Sequence, residues 1–167
     1  GGGIPFCSLP CSGSSAWVKA DSATSPRRRQ VPRSVADDAA VDRDEAALHT
    51  TCAAIRMEHA NALVAYFVAD ISQSDAPEAA LAMALRAHGH VDTLINNAAM
   101  RNTSALADAT PEEWQALLGV NLVGTANFCR AVLPSLRKRP GSSIVNVSSC
   151  YAVTGRKGMG LYDASKA

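Results

Sequence analysis

Tyr162 and Lys166 stand four residues apart in the stretch YDASKA that ends the chain, a spacing that places both side chains on one face of a helix. An ammonium beside a phenol favours the phenolate. It draws a group that ordinarily titrates near about pH 10 toward the range where protons are exchanged with an alcohol or a carbonyl. A solvated helix pair gives the same spacing, so the surroundings decide between the two. Other polar candidates each follow directly on an apolar run: Asp42, Asp70, the pair Asn96-Asn97, and the pair Ser148-Ser149.

The elements that must position these residues are readable from about Val41 onward. Ala46, Leu48, Cys52 and Ile55 recur at helical spacing between Glu45 and Arg56, and the continuous apolar run Ala62–Ala69 (ALVAYFVA) predicts a buried strand before Asp70. Pro77 suits the first turn of a second helix through about Ala87, with His88-Gly89 as its stop, and Val91–Ile95 (VDTLI) predicts a strand leading into Asn96-Asn97. Thr110-Pro111-Glu112-Glu113 combines an N-cap, a first-turn proline and a capping-box glutamate. The helix it opens runs toward Leu136 and Arg137 and is broken by Pro140-Gly141. Ser143–Val147 (SIVNV) predicts the next strand, and Tyr162–Ala167 the opening turn of another helix. Alternating helices and apolar strands indicate an α/β layer structure with a parallel sheet, in which ligands collect at the carboxyl ends of the strands. The polar candidates are placed at those ends.

The motifs DRDEAAL, VADIS, DTLINNAA, VNLVG, IVNVSS and YDASKA occur in this order from about Val41 to Ala167. In that arrangement the chain resembles the short-chain dehydrogenase/reductase family. The resemblance implies a Rossmann-like, doubly wound parallel sheet. It implies transfer of hydride between a nicotinamide dinucleotide and a small alcohol or ketone, with Tyr162 as general acid/base, Ser149 hydrogen-bonding the same substrate oxygen, Lys166 contacting the nicotinamide ribose, and Asn121 orienting the lysine through a water-linked proton relay. On the cofactor side it implies Asp70 at the adenine amino group and Asn96, Asn97 and Ala98 near the adenosine. Ala99 stands where the family usually has glycine. Family register puts Asp42 at the tip of the second strand, where a carboxylate accepts both ribose hydroxyls and repels a 2′-phosphate, so NAD is preferred over NADP. Arg43, next to it, is suited to the phosphate instead. A homodimer or homotetramer is implied for the parent, with the long helix from Thr110 as a packing surface. The competing reading is a catalytically silent dinucleotide-binding or interaction module on the same scaffold.

Composition narrows the classes further. The chain has 167 residues, 47% hydrophobic and 19% charged, with a formal net charge of +1. That charge gives no field suited to nucleic acid, and no apolar run approaches the roughly 20 residues that span a bilayer. Cys7, Cys11, Cys52, Cys129 and Cys150 form neither a metal-ligand pattern nor a disulfide framework, so no metal site is expected and a reducing, cytoplasmic setting is.

Residues 1–40 differ from 41–167. They hold four of the eight prolines, many serines and the run Arg27-Arg28-Arg29, without helical or strand periodicity. Gly1-Gly2-Gly3-Ile4 resembles the family's phosphate-binding glycine loop, but Pro5 stands where another glycine is expected. The reading is an irregular segment, degenerate or translated partly out of frame, followed by a partial oxidoreductase domain. Against the family, the first strand and the C-terminal strands are expected to be missing, so an internal fragment with an incomplete crevice is expected.

Overall fold

The computed structural model describes residues 16–20 and 37–167. Gly1 to Gly3, Pro5, Cys7, Cys11 and the Arg27–Arg29 run lie outside the described residues.

Five strands form one sheet: β1 (Ala16–Ala20), β2 (Asp37–Asp42), β3 (Val64–Val68), β4 (Thr93–Asn96) and β5 (Ser143–Asn146), in the spatial order β3-β2-β1-β4-β5. The pairs β2/β3 and β4/β5 are parallel, as the alternation of helices and strands requires. The centre departs from expectation. Where the first strand was expected to be missing, β1 fills the slot between β2 and β4, and it runs antiparallel to both. Its register sets Ala16 opposite Val41 and Asn96, so β1 begins at the edge where its neighbours end.

The division at residues 40 and 41 falls inside β2. The polar start of β2, Asp37-Asp38, carries no strand periodicity. The strand is fixed by ladders on both sides, and Ala39, Ala40 and Val41 become fully buried once it is flanked.

Helices lie on both faces. Helix α1 (Glu45–Glu58) is capped by Asp44, whose carboxylate accepts from the N–H of Ala47 at 2.9 Å. It packs Cys52 against Ala62 and Val64. Helix α2 (Ala76–His88) ends at Gly89, whose φ of 76° is the left-handed geometry glycine adopts without strain. With a later helical stretch, Thr125–Leu136, it covers the other face through Ala80, Ala84, Phe128, Val132 and Leu136, which meet Val41 and Leu94 of the sheet. Alternate residues of β3 divide between the layers, Val64 and Tyr66 toward α1 and Phe67 toward the larger core. β3 is half-buried rather than fully buried, because it sits at the sheet's edge and Val68 is exposed.

The predicted long helix forms in three pieces. Helix α3 (Pro111–Leu118) opens on a complete capping box, with the Thr110 hydroxyl accepting from Glu113 N–H and the Glu113 carboxylate accepting from Thr110 N–H. A π-helical stretch, Gly119–Gly124, follows, and α4 (Thr125–Leu136) completes it. Together Pro111–Leu136 spans 26 residues with a most apolar window of mean hydropathy 1.4, long and apolar enough to cross a membrane by length and composition. It is not a continuous apolar run, since Glu112, Glu113, Gln115, Asn121 and Arg130 interrupt it. Leu117, Val120, Phe128, Val132 and Leu136 of this segment are buried in the domain, while Leu122, Val123 and Leu133 are exposed. The chain closes with a short helix missed in the sequence, α5 (Tyr151–Thr154), and α6 (Gly160–Lys166).

Candidate active site

The carboxyl ends of β2 to β5 share one edge of the sheet, and the candidate residues collect there. Asp42, the last residue of β2, is buried, with one carboxylate oxygen accepting from the N–H of Asp44 at 3.0 Å. Burial pushes its carboxyl above the usual range, opposed by the N–H groups of Asp44 and Arg43. Asp70 follows β3, and one of its oxygens accepts from both the N–H and the hydroxyl of Ser72, at 2.9 and 2.7 Å. Arg43 and Asp70 line the same small cleft with Ala69, Ile71, Met100 and Val120.

The paired asparagines separate. Asn96 ends β4 buried, and its amide donates to Asn146 Oδ1 across the ladder (2.8 Å) and to Cys129 Sγ (3.2 Å). It ties β4 to β5 and α4. Asn97 is exposed and Ala98 buried.

Asn121 lies in the π-helical stretch. Such a stretch widens one turn and turns an inner side chain onto its neighbours. The approach is close because Gly124 has no side chain: a Cβ there would lie 2.7 Å from the carbonyl oxygen of Ile71. Buried Asn121 accepts from Met100 N–H at 2.7 Å and donates to Met100 C=O at 3.0 Å and to Ser165 Oγ at 2.7 Å. It thereby joins the segment after β4 to α6.

Helix α6 docks on the end of β5. Ser148 Oγ donates to the carbonyl of Lys166 at 2.5 Å, and Lys166 Nζ donates to the carbonyl of Val147 at 2.9 Å. Burial pushes the lysine's pKa down. Ser149 Oγ accepts from Tyr151 N–H at 3.2 Å, which fixes the oxygen and leaves its proton to donate elsewhere.

Tyr162 is 8% exposed. The cations over its ring are arginines. Arg101 lies 5.9 Å and Arg156 5.6 Å from the ring centroid, whereas Lys166, expected beside the phenol, directs its ammonium to Val147. Arg156 forms a two-point pair with buried Asp163, at 2.7 and 3.3 Å, and stacks on the Tyr151 ring at 3.8 Å. Asp163 holds the guanidinium's pKa above its ordinary value. Sequence reading missed Arg101, Arg156, Asp163 and Ser165. The only signal available was that Asp163 and Ser165 lie inside YDASKA; nothing local pairs Arg156 with Asp163 across a glycine-containing loop.

Two ends of this edge fit a nicotinamide dinucleotide: acceptors at Asp42 and Asp70, and donors at Lys166, Ser149 and Tyr162. Its middle does not. A pyrophosphate is cradled where a strand turns into a helix N-terminus, and among the described residues β1 brings its first residue, not its last, to this edge.

The strand order, the helices on both faces and the residues at the carboxyl edge define a Rossmann-like α/β domain. Residues 31–167 match the family model described as short chain dehydrogenase. The chain belongs to that family. Over 103 residues it is 39% identical to a 3-ketodihydrosphingosine reductase from Bacteroides thetaiotaomicron, covering 62% of this chain and 38% of that protein. A short chain dehydrogenase/reductase from Burkholderia phymatum in complex with NAD superposes with a TM-score of 0.70 at 33% identity, over 75% of this chain and 44% of the other. An NADPH-bound short chain oxidoreductase from Pseudomonas aeruginosa PAO1 gives 0.70 at 27% identity, over 74% and 48%. The chain thus spans less than half the length of these proteins.

Proposed function

We propose that the chain belongs to an oxidoreductase that transfers hydride between a nicotinamide dinucleotide and a small alcohol or carbonyl compound. The docking of α6 on the end of β5 carries this reading, because it sets the helix bearing Tyr162 beside the strand end bearing Ser149. Proton and hydride must act on one C–O unit, so the two hydroxyls have to converge. Ser149, held through Tyr151 N–H, donates to the substrate oxygen, and Tyr162 gives a proton to that oxygen or removes one. The dinucleotide, when bound, supplies or accepts the hydride. Lys166 has three donors and spends one on Val147, leaving two for ribose hydroxyls and a proton-carrying water. Both ends of the Asn121 side chain are engaged, so its part in such a relay runs through its main-chain carbonyl, which already accepts from Thr125 Oγ1 at 3.0 Å.

Asp42 favours NAD, since a buried carboxylate accepts ribose hydroxyls and repels a 2′-phosphate; Arg43 on the same cleft works the other way. Tighter binding of NADP than of NAD would reverse the assignment. Oligomerisation of the parent would use the exposed Leu122, Val123 and Leu133 of the Pro111–Leu136 helix, which sizing of the parent checks. The function is tested by nicotinamide absorbance in the whole protein with a panel of alcohols and ketones. Turnover that falls by a factor of about 100 or more in Tyr162→Phe supports it. Dinucleotide binding with no turnover by any substrate supports the silent module instead.

A further inference from the structure

We infer that Arg101 forms a subsite for a negatively charged group on the substrate, making the preferred substrate class carbonyl compounds or alcohols that bear a carboxylate or phosphate. The inference rests on Tyr162 acting at the reacting carbon's oxygen, and it deepens that reading.

Two arginines approach the Tyr162 ring, and they differ in compensation. Arg156 is neutralised by Asp163 and immobilised against Tyr151. Arg101 is exposed, and among the described residues no carboxylate pairs with it. Its guanidinium still lies 5.9 Å from the centroid of the Tyr162 ring. The two guanidiniums over the Tyr162 ring thus have one paired carboxylate between them, Asp163.

The position of Arg101 is also built. The preceding residue, Met100, has both its N–H and its C=O held by the Asn121 side chain. The following residue, Asn102, donates to Glu113 Oε1 at 3.0 Å and accepts from Ser104 N–H at 2.6 Å, while Ser104 Oγ donates to the same glutamate oxygen at 2.6 Å. These bonds, Ser104 foremost, hold the Glu113 carboxyl below its usual range. The backbone of Arg101 is therefore clamped on both sides while its side chain is left unpaired over the site. A guanidinium carried on a fixed backbone recognises an oxyanion at a lower ordering cost than one on a free loop.

Equilibrium binding to the 167-residue chain, followed by ligand-detected NMR, tests this with two charged and neutral probe pairs: 4-oxopentanoate against its methyl ester, and dihydroxyacetone phosphate against dihydroxyacetone. The charged member is expected to bind about tenfold tighter at low salt in at least one pair, with the advantage shrinking as salt rises. The pair that shows it separates carboxylate from phosphate. Arg101→Gln is expected to abolish the advantage and Arg101→Lys to retain part of it. Equal binding within both pairs, or an advantage that survives Arg101→Gln, would overturn the subsite. The two readings fail separately. Turnover of neutral ketones without charge preference leaves the redox function standing alone, and charge-selective binding without turnover leaves the subsite standing alone.

Discussion

At the scale of single residues the site is organised around carboxylates and guanidiniums that burial has made consequential. Asp42 is 3% exposed, and its carboxyl is raised above its ordinary 3.8 by desolvation. A raised carboxyl binds its proton more tightly in the folded state. The stability it contributes is full below 3.8 and is lost as pH rises through the folded value. Asp42→Asn keeps the acceptor for Asp44 N–H and removes the charge. It is expected to match the wild type below the carboxylate range and to be more stable at neutral pH, by about 1.4 kcal/mol for every tenfold by which folding weakens the acid; thermal melts across that range measure it. The Arg156–Asp163 pair is asymmetric, with side chains 30% and 6% exposed. Arg156→Met strands a buried charge and should lower the melting temperature more than Asp163→Asn, which strands a guanidinium that still reaches water. Equal losses would contradict that account.

At the scale of elements the decisive feature is the interruption of the Pro111–Leu136 helix by Gly119–Gly124. The π-helical stretch brings Asn121 to Met100 and α6, and it needs Gly124 to pass the backbone of Ile71. Gly124→Ala puts a methyl against a main-chain carbonyl that cannot swing away, and is expected to cost about 1 to 3 kcal/mol by denaturant titration. Phe128→Ala, by contrast, empties a buried position of α4 and is expected to cost about 3 to 5 kcal/mol. Only the first substitution should also disturb the amide resonance of Met100. The limits of α2 and α3 were legible because capping is local: Gly89 and Thr110 declare them in three or four residues. The π-helical stretch was not, since its cause lies in Ile71 and Met100, far away in sequence.

For the whole molecule, the sheet is held together through β1, which joins the β3-β2 pair to the β4-β5 pair. Val18 pairs with Ala39 on one side and Leu94 on the other. Val18→Pro removes a ladder donor from a central strand, where proline is not accommodated. It is expected to abolish a single cooperative thermal transition, and an unchanged melt followed by circular dichroism would show that β1 does not bridge the halves. Among the described residues no strand pairs with the outer side of β5, and Val145 is 46% exposed. An apolar edge strand of this kind promotes self-pairing, so Val145→Lys is expected to reduce concentration-dependent association in light scattering.

The order of helices and strands from residue 41, the capping residues and the collection of polar groups at strand ends were determined by the sequence alone, because periodicity, caps and strand-end chemistry act within a few residues. Tertiary structure decided what depends on chain segments meeting. It set β1 antiparallel in the central slot, where paired neighbours supply the ladder its own residues do not announce. It also decided which cations face Tyr162. Helical spacing fixes the direction in which Lys166 leaves α6, but the end of β5 captures its ammonium, and the clamped loop after β4 carries Arg101 to the ring instead.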